Sequence, residues 1–496
     1  MNKLFFILIL SCFIIFPYKV QSQEKVLTLD ECIAIALENS FEAFKTDNLF
    51  KSEYYVYMEY LNLFRPTLSL NITPLYYNRS LQQVYDSEVE QLVYVDLHNL
   101  SSQAGLSVNQ KIKLTGGTLS ASSNINRYQK FGSINDLDFI TVPFNINYSQ
   151  NIFAVNEFKW KSRLQPVEFE IAKHEYAEQR EAIALQTINL YFAFLSAQSN
   201  LTISGNYYEK AEALYEMGKK RYEINTISLD ELYQLDLRRL KAKNNLERQK
   251  NAFSSVSREL TSFLEISGNT KLICTIPDNI PIDFIPVETV VELVKINNPA
   301  ILALQHESAQ ARYNLERAKS NRFSSTLNLG VGLNNNANTF SESYRNPTQT
   351  ENARVSISIP IMDWGNVKRD IILAEDKIDE TEWHIKKQKD YIINNVIDQA
   401  NEFNIQKLQV MNAYKADTLA QTTYDMVEKR FINGTLNVLN LNDAQNEKEN
   451  TKNEYLNALR NYWTSYYRLR QYCLFDFEQK EDILDQVENK LNDIMK

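Results

Sequence analysis

The chain has 496 residues, 44% of them hydrophobic, and a formal net charge of −9 at pH 7. That acidic balance argues against a nucleic-acid partner, and the four histidines, at 98, 174, 306 and 384, are too scattered for a metal cluster. After the first twenty residues no stretch approaches the roughly 18 uninterrupted apolar residues of a membrane helix, so a chain that enters lipid must do so as a closed β-barrel.

Residues 1–22 read as a secretory signal: Lys3 gives the positive start, Leu4 to Phe16 the apolar core, and Val20-Gln21-Ser22 the exit. Lipidation at Cys12 is an alternative, weakened by the apolar run that continues past it. Loss of Lys3 and Lys19 leaves a mature charge of −11. Three cysteines remain, Cys32, Cys274 and Cys473; an odd number so far apart makes no disulfide framework, and they read as half-buried free thiols.

The first repeat spans 23–286. Residues 28–64 read as a helix opened by Thr28 and Glu31 as a capping box, and Arg65-Pro66 ends it. Four strand candidates follow, at about 67–77, 104–114, 117–128 and 141–151. In each, apolar residues alternate with Ser, Thr and Asn, for example Leu68, Leu70 and Ile72 against Ser69, Asn71 and Thr73. Period-two alternation gives one apolar and one polar face. It fits a membrane barrel with a hydrated interior, or an ordinary sandwich with its apolar face turned inward. A long helix covers about 155–222, with Pro166 as an early interruption. A return helix covers about 228–265, with Ser228 and Glu231 as its capping box, and a proline-rich linker reaches Pro286.

The second repeat spans 287–475: a helix at about 287–322, strands around 327–334 and 355–361, and a polar, exposed loop at 335–352 between them. The membrane β regions are then about 67–151 and 326–362. Gly365 and Gly434 bracket 68 residues without glycine or proline, which as a helix would run about 100 Å. A last helix covers about 437–475, and the charged tail, 476–496, is expected to pack outside.

The halves echo each other. Arg221-Tyr222-Glu223-Ile224-Asn225-Thr226 returns 209 positions later as Arg430-Phe431-Ile432-Asn433-Gly434-Thr435, and Thr67-Leu68-Ser69-Leu70 returns as Thr326-Leu327-Asn328-Leu329 at an offset of 259. A repeat of half the chain means a duplicated domain. From strand end to turn both halves count 69 residues, Phe153 to Tyr222 and Met362 to Phe431, so both turns should lie at one height. Each long helix matches two shorter ones stacked end to end, the arithmetic of a cylinder of antiparallel helices. Rows spaced by seven, Ile371, Ile378, Ile385 and Ile392, then Val396, Phe403 and Val410, indicate coiled-coil-like packing.

Several of these segments, in their order along the chain, resemble the TolC family of outer-membrane efflux proteins. They are Leu27-Thr28-Leu29-Asp30-Glu31 opening a helix that ends near Asn39, Asn297-Asn298-Pro299, the strand–turn–strand block Leu106 to Leu119 with Gly116-Gly117, the strand Val355 to Gly365, and the two turns. The resemblance covers essentially the whole mature chain. It implies a mainly α fold with β: long antiparallel coiled-coil helices forming a periplasmic α-barrel, joined to an outer-membrane β-barrel shared between the protomers of a trimer. It implies adaptor docking at Ile224, Asn225 and Thr226 in the first tip and at Asn433, Gly434 and Thr435 in the second. Acidic rings that narrow the tunnel in the family fall on Glu231, Asn440 and Asp443; Asn440 departs from the pattern, because an amide leaves its ring uncharged. Asn225 also departs, standing where glycine is commoner. The best-known members carry two strands per half, whereas 50 additional residues sit in the first β region here. These are either extra strands, favoured by the short Gly116-Gly117 turn, or an extended hairpin.

The expected function is therefore an outer-membrane exit duct that extends into the periplasm of a Gram-negative bacterium. It would serve an inner-membrane pump and its periplasmic adaptor, in a tripartite efflux system or a type I secretion system, carrying small molecules or polypeptides passively. No enzyme chemistry and no cofactor are expected. The competing reading is a periplasmic coiled-coil scaffold without a pore.

Overall fold

The computed structural model describes residues 24–86, 90–131, 136–267, 271–277, 280–282, 284–322, 324–433, 435–436 and 438–495; the signal segment with Cys12, and Gly434, lie outside them. In chain order, β1 (Glu24–Leu27) leads to α1 (Leu29–Asn39), α2 (Phe41–Asn62) and four strands, β2 (Thr67–Asp86), β3 (Gln91–Lys111), β4 (Thr118–Phe131) and β5 (Asp136–Asn151). The long helix α3 (Glu157–Glu223) and its return α4 (Leu229–Phe263) follow. The short strand β6 (Lys271–Cys274) lies in the linker that ends the first half, and the second half contains α5 (Val287–Asn297), α6 (Pro299–Ser320), β7 (Ser324–Ala337), β8 (Thr348–Ser358), α7 (Asn366–Ile432) and α8 (Val438–Cys473). A strand pair, β9 (Phe475–Asp476) and β10 (Glu481–Asp482), precedes α9 (Ile483–Met495).

The capping boxes form as expected. Thr28 Oγ1 accepts from Glu31 N at 3.3 Å while Thr28 N donates to Glu31 Oε2 at 2.9 Å, and Ser228 and Glu231 repeat the pair at the start of α4. The single helix expected over 28–64 is instead two. Buried Ser40, with φ −66° and ψ 150°, leaves the helical region and caps α2 by accepting from Ala43 N at 3.1 Å. The helix expected over 287–322 breaks likewise: Asn298, held extended before Pro299, accepts from Ala300 N at 3.1 Å. Pro166 does not interrupt α3, which continues through it as a 67-residue helix; packing along so long a helix offsets the one hydrogen bond a proline removes.

The six strands form one antiparallel meander, β2-β3-β4-β5-β7-β8. Side chains alternate between faces along each strand, and the register carries the alternation across the sheet. One row of partners reads Thr67, Asn109, Ser120, Asn147, Gly330, Asn352. The row two residues on reads Ser69, Ser107, Ser122, Asn145, Gly332, Thr350. Between them, on the opposite face, run Leu68, Val108, Ala121, Ile146 and Val331, ending at Glu351 on the edge strand. The apolar face is bare: Leu68 is 71% exposed, Leu70 61% and Val355 61%. A sandwich would cover it, so among the described residues the inward-facing alternative has no second layer.

The additional 50 residues lie partly within the sheet and partly beyond it. β3 pairs with β4 as far as His98↔Phe131, so β2 and β3 are members of the sheet. Beyond that point they run on as a two-stranded ribbon, fastened by Arg79 to Asp96 at 2.7 Å. The expected loop at 335–352 is shorter: β7 continues to Ala337 and β8 begins at Thr348, with a 3-10 turn at Glu342–Tyr344 between them. The alternation that reveals a strand disappears through Asn334-Asn335-Asn336. Gly116, at φ +80°, makes the tight turn from β3 to β4, closed by Ile112 N to Gly117 O at 2.9 Å.

By its contacts the chain divides into two units. One holds the sheet, residues 49–175 and 295–393 with the end of the tail from 490, and its helical segments are tied by Trp160 Nε1 to Glu316 Oε2 at 2.8 Å and Lys319 to Glu375 at 3.1 Å. The other takes in residues up to 48, 176–294 and 394–489. In it β1 and β6 pair in parallel, Leu27 opposite Cys274, and the Tyr191 hydroxyl lies against the carbonyls of Leu27 and Thr275. Cys32, Cys274 and Cys473 are fully buried rather than half-buried. The tail is also more integrated than its charge suggests. Ile483, Val487 and Leu491, spaced by four on α9, are buried, as is Asp476, which joins Glu181 on the Arg470 guanidinium at 2.7 and 2.9 Å.

Candidate functional site

The helix tips belong to the second unit described. At the first, Asn225 adopts φ +56°, Asn225 N donates to Tyr222 O at 2.9 Å, and Thr226 N donates to Arg221 O at 2.8 Å. This is a Schellman ending with Asn in the left-handed position usually held by glycine. The Thr226 hydroxyl donates to the same Arg221 carbonyl at 2.8 Å, and Ile224 is 69% exposed. At the second tip Thr435 repeats both bonds, N to Arg430 O at 3.0 Å and Oγ1 to Arg430 O at 2.9 Å. Gly434, which would correspond to Asn225, lies outside the described residues. The Arg221 guanidinium donates to Ile432 O at 3.3 Å, so the two turns are side by side, as their equal spacing requires.

Of the three expected constriction residues, Glu231 is exposed and its carboxylate turns back to accept from Ser228 N at 3.2 Å. Asn440 and Asp443, three apart on α8, share an exposed face, while neighbouring Leu441 and Gln445 are buried.

A belt of residues further along the four helices had no sequence signal, because its members come from separate segments. Arg238, buried on α4, donates to the Tyr207 hydroxyl at 3.0 Å, and that hydroxyl lies 3.3 Å from Asn442 Oδ1. Lys210 on α3 pairs with Glu428 on α7 at 2.7 Å, and Glu428 also accepts from the Tyr424 hydroxyl at 3.1 Å. Burial pushes the Tyr424 phenol up and the Lys448 ammonium down from their ordinary values. Gly218 allows α3 and α4 to approach closely: a Cβ there would sit 2.5 Å from Leu235 Cδ1.

The second heptad row is the contact side of α7: Val396, Phe403 and Val410 are buried, as is Tyr424, whereas in the first row Ile371 is buried and Ile378, Ile385 and Ile392 are half-buried. The opposite side of the same stretch carries Ile405, Leu408, Met411, Leu419 and Met426, all more than half exposed. A helix with two apolar sides and one covered has a second surface to bury.

Among the described residues, no group of His, Cys, Asp and Glu could hold a metal ion, and no helix is long and apolar enough to cross a membrane.

Residues 290–473 match the family model of the outer membrane efflux proteins. No curated protein matches the sequence. Solved structures match the fold. The CmeC outer membrane channel of Campylobacter jejuni is 15% identical, with a TM-score of 0.67 over 93% of this chain and 89% of that one. A membrane protein of Pseudomonas aeruginosa is 14% identical, with a TM-score of 0.64 over 90% of each chain. The outer membrane protein VceC of Vibrio cholerae is 12% identical, with a TM-score of 0.62 over 90% of this chain and 95% of that one. By sequence over residues 290–473 and by fold over nine-tenths of its length, the chain is similar to the TolC-type outer-membrane efflux proteins, and the resemblance read from its sequence holds.

Proposed function

We propose that three copies of this chain form a passive exit duct in the outer membrane of a Gram-negative bacterium, extending into the periplasm. The six strands wall a barrel in lipid, and the long helices wall a periplasmic tunnel. An inner-membrane pump, in a tripartite efflux or type I secretion system, drives small molecules or polypeptides through it. The chain itself performs no chemistry and needs no cofactor.

The sheet carries this reading. Its rows of Ser, Thr, Asn and Gly suit a wetted lumen, and its bare, mainly apolar rows suit lipid. A periplasmic scaffold without a pore has no use for such a surface. The uncovered apolar side of α7 supports packing against sister chains.

On this reading Ile224, Asn225, Thr226, Asn433, Gly434 and Thr435 are where the periplasmic adaptor docks. Glu231, Asn440 and Asp443 line the narrowest part of the tunnel. Asn440 contributes an uncharged ring, and three Asp443 carboxylates around one lumen attract cations. The test is purification from detergent-solubilised outer membranes followed by planar-bilayer recording. Discrete, cation-preferring conductance steps are expected, with the preference reduced by Asp443→Asn. A water-soluble product that never conducts would overturn the reading.

A further inference from the structure

The first half supplies four strands of the six-stranded sheet and the second half two. We propose that all six are wall strands, so that the barrel of the proposed trimer has eighteen strands rather than the twelve implied by four strands per chain, each copy's β8 pairing with the next copy's β2. This inference rests on the channel reading and adds a specific joint between copies and a specific bore.

Three observations carry it. The first is length. A membrane strand needs about 9–11 residues. β2 alongside β3 runs from Thr67↔Asn109 to Arg79↔His98, and the shortest of the six strands, β8, has 11 residues.

The second is the pattern. An extracellular ornament would have no reason to keep the alternation of the wall, yet Leu68, Leu70 and Ile72 stand in register with Val108, Leu106 and Ala104 on one face. Ser69 and Ser107 do so on the other, and both sets continue into β4.

The third is the pair of edges. Among the described residues β2 and β8 each have one strand neighbour, which leaves a row of unpaired backbone groups on either side of the sheet. Open edges are not tolerated in hydrocarbon, and six strands are fewer than the eight or so of the smallest closed bacterial barrels. The sheet is therefore incomplete without another copy, and with six antiparallel strands β8 and the following β2 run in opposite directions, as the ladder requires.

Face matching restricts the joint. Lipid-facing positions are even in β2 (Leu68, Leu70) and odd in β8 (Val355, Ile357), so Ser69 must lie opposite an even position such as Arg354, Ser356 or Ser358. Because barrel diameter grows roughly linearly with strand number, the bore would be about half again as wide as that of twelve strands.

The test is disulfide cross-linking in intact outer membranes. Ser69→Cys and Asn71→Cys are each combined with Arg354→Cys, Ser356→Cys or Ser358→Cys, and in parallel with Val355→Cys or Ile357→Cys. Covalent dimers and trimers are expected from the even-numbered β8 positions and not from the odd ones, with none from the parent chain. Electron cryomicroscopy of the unmodified protein in detergent should count eighteen strands. A threefold barrel of twelve strands with β2 and β3 outside the wall would overturn this inference and leave the channel reading intact. A particle without a lumen would overturn both.

Discussion

The two halves of the molecule agree closely in their helices and disagree in their strands. The short helices have 11 and 22 residues in both halves, α1 with α2 and α5 with α6. The long helices have 67 and 67, and the returns 35 and 36. Of the strands in the six-stranded sheet, four come from the first half and two from the second. Length is constrained in the helices and free in the strands. Two helical hairpins whose turns bond to each other cannot change length independently. An added β-hairpin brings the chain back to the side of the sheet it left, so strands can be gained in pairs without disturbing the helix that follows.

The largest expected effect comes from breaking the helical equality. Removing seven residues from each of α7 and α8 would shift the second turn by about 10 Å and pull Arg221 from Ile432 and Lys210 from Glu428. Export measured by cargo susceptibility should be lost. Removing seven from α3 and α4 as well should restore a folded assembly by thermal melting, and failure of that rescue would mean that equal length is not what matters.

Next is the ionic tie between halves. Glu181 comes from the first half, and Arg470 and Asp476 from the second. Arg470→Ala leaves two buried carboxylates uncompensated and should cost about 3–5 kcal/mol, read by denaturation in detergent.

Smaller effects separate the two tips. Asn225→Gly makes the first turn like the second and should be neutral or slightly stabilising, whereas Asn225→Val, a branched residue at φ +56°, should cost about 1–2 kcal/mol. Equal melting of the two variants would argue against the left-handed geometry.

The smallest effect distinguishes the helix starts. α3 is capped by the amide of Asn156, which accepts from Lys159 N at 3.0 Å. α7 is capped by the carboxylate of Asp363, which accepts from Val367 N at 3.0 Å and Gly365 N at 2.9 Å. Those bonds, that to Val367 first, hold the Asp363 carboxyl below its ordinary value. The depressed value means its stabilisation is complete above the unfolded carboxyl's titration and is lost as pH falls through the folded one. Protection against hydrogen exchange in the first turn of α7, taken relative to the intrinsic rate at each pH, should therefore fall on acidification while that of α3 does not, and Asp363→Asn should abolish the difference.

Much of this was legible in the chain, for identifiable reasons. Gly365 and Gly434 bound the second long helix, the Arg221 and Arg430 turns are near copies, and the alternation of Leu and Ile with Ser and Asn marks the strands. What was not legible depends on distance or on masking. β1 and β6 are four residues each and meet from opposite ends of the first half, so no local pattern predicts their pairing. Ser40 breaks a helix without glycine or proline. The apolar stripe of α9 is hidden among charges, and the ribbon beyond His98 loses the clean alternation of the wall. At the tips the turn geometry was readable from Asn225 and Thr226, but the belt around Arg238 gathers four separate helices and leaves no spacing to find.

Electron cryomicroscopy of the detergent-purified protein separates a shared channel from an isolated chain. Sister chains should surround one continuous open lumen in a threefold particle. A well-ordered single chain with no central hole, stable in buffer without detergent, would contradict it.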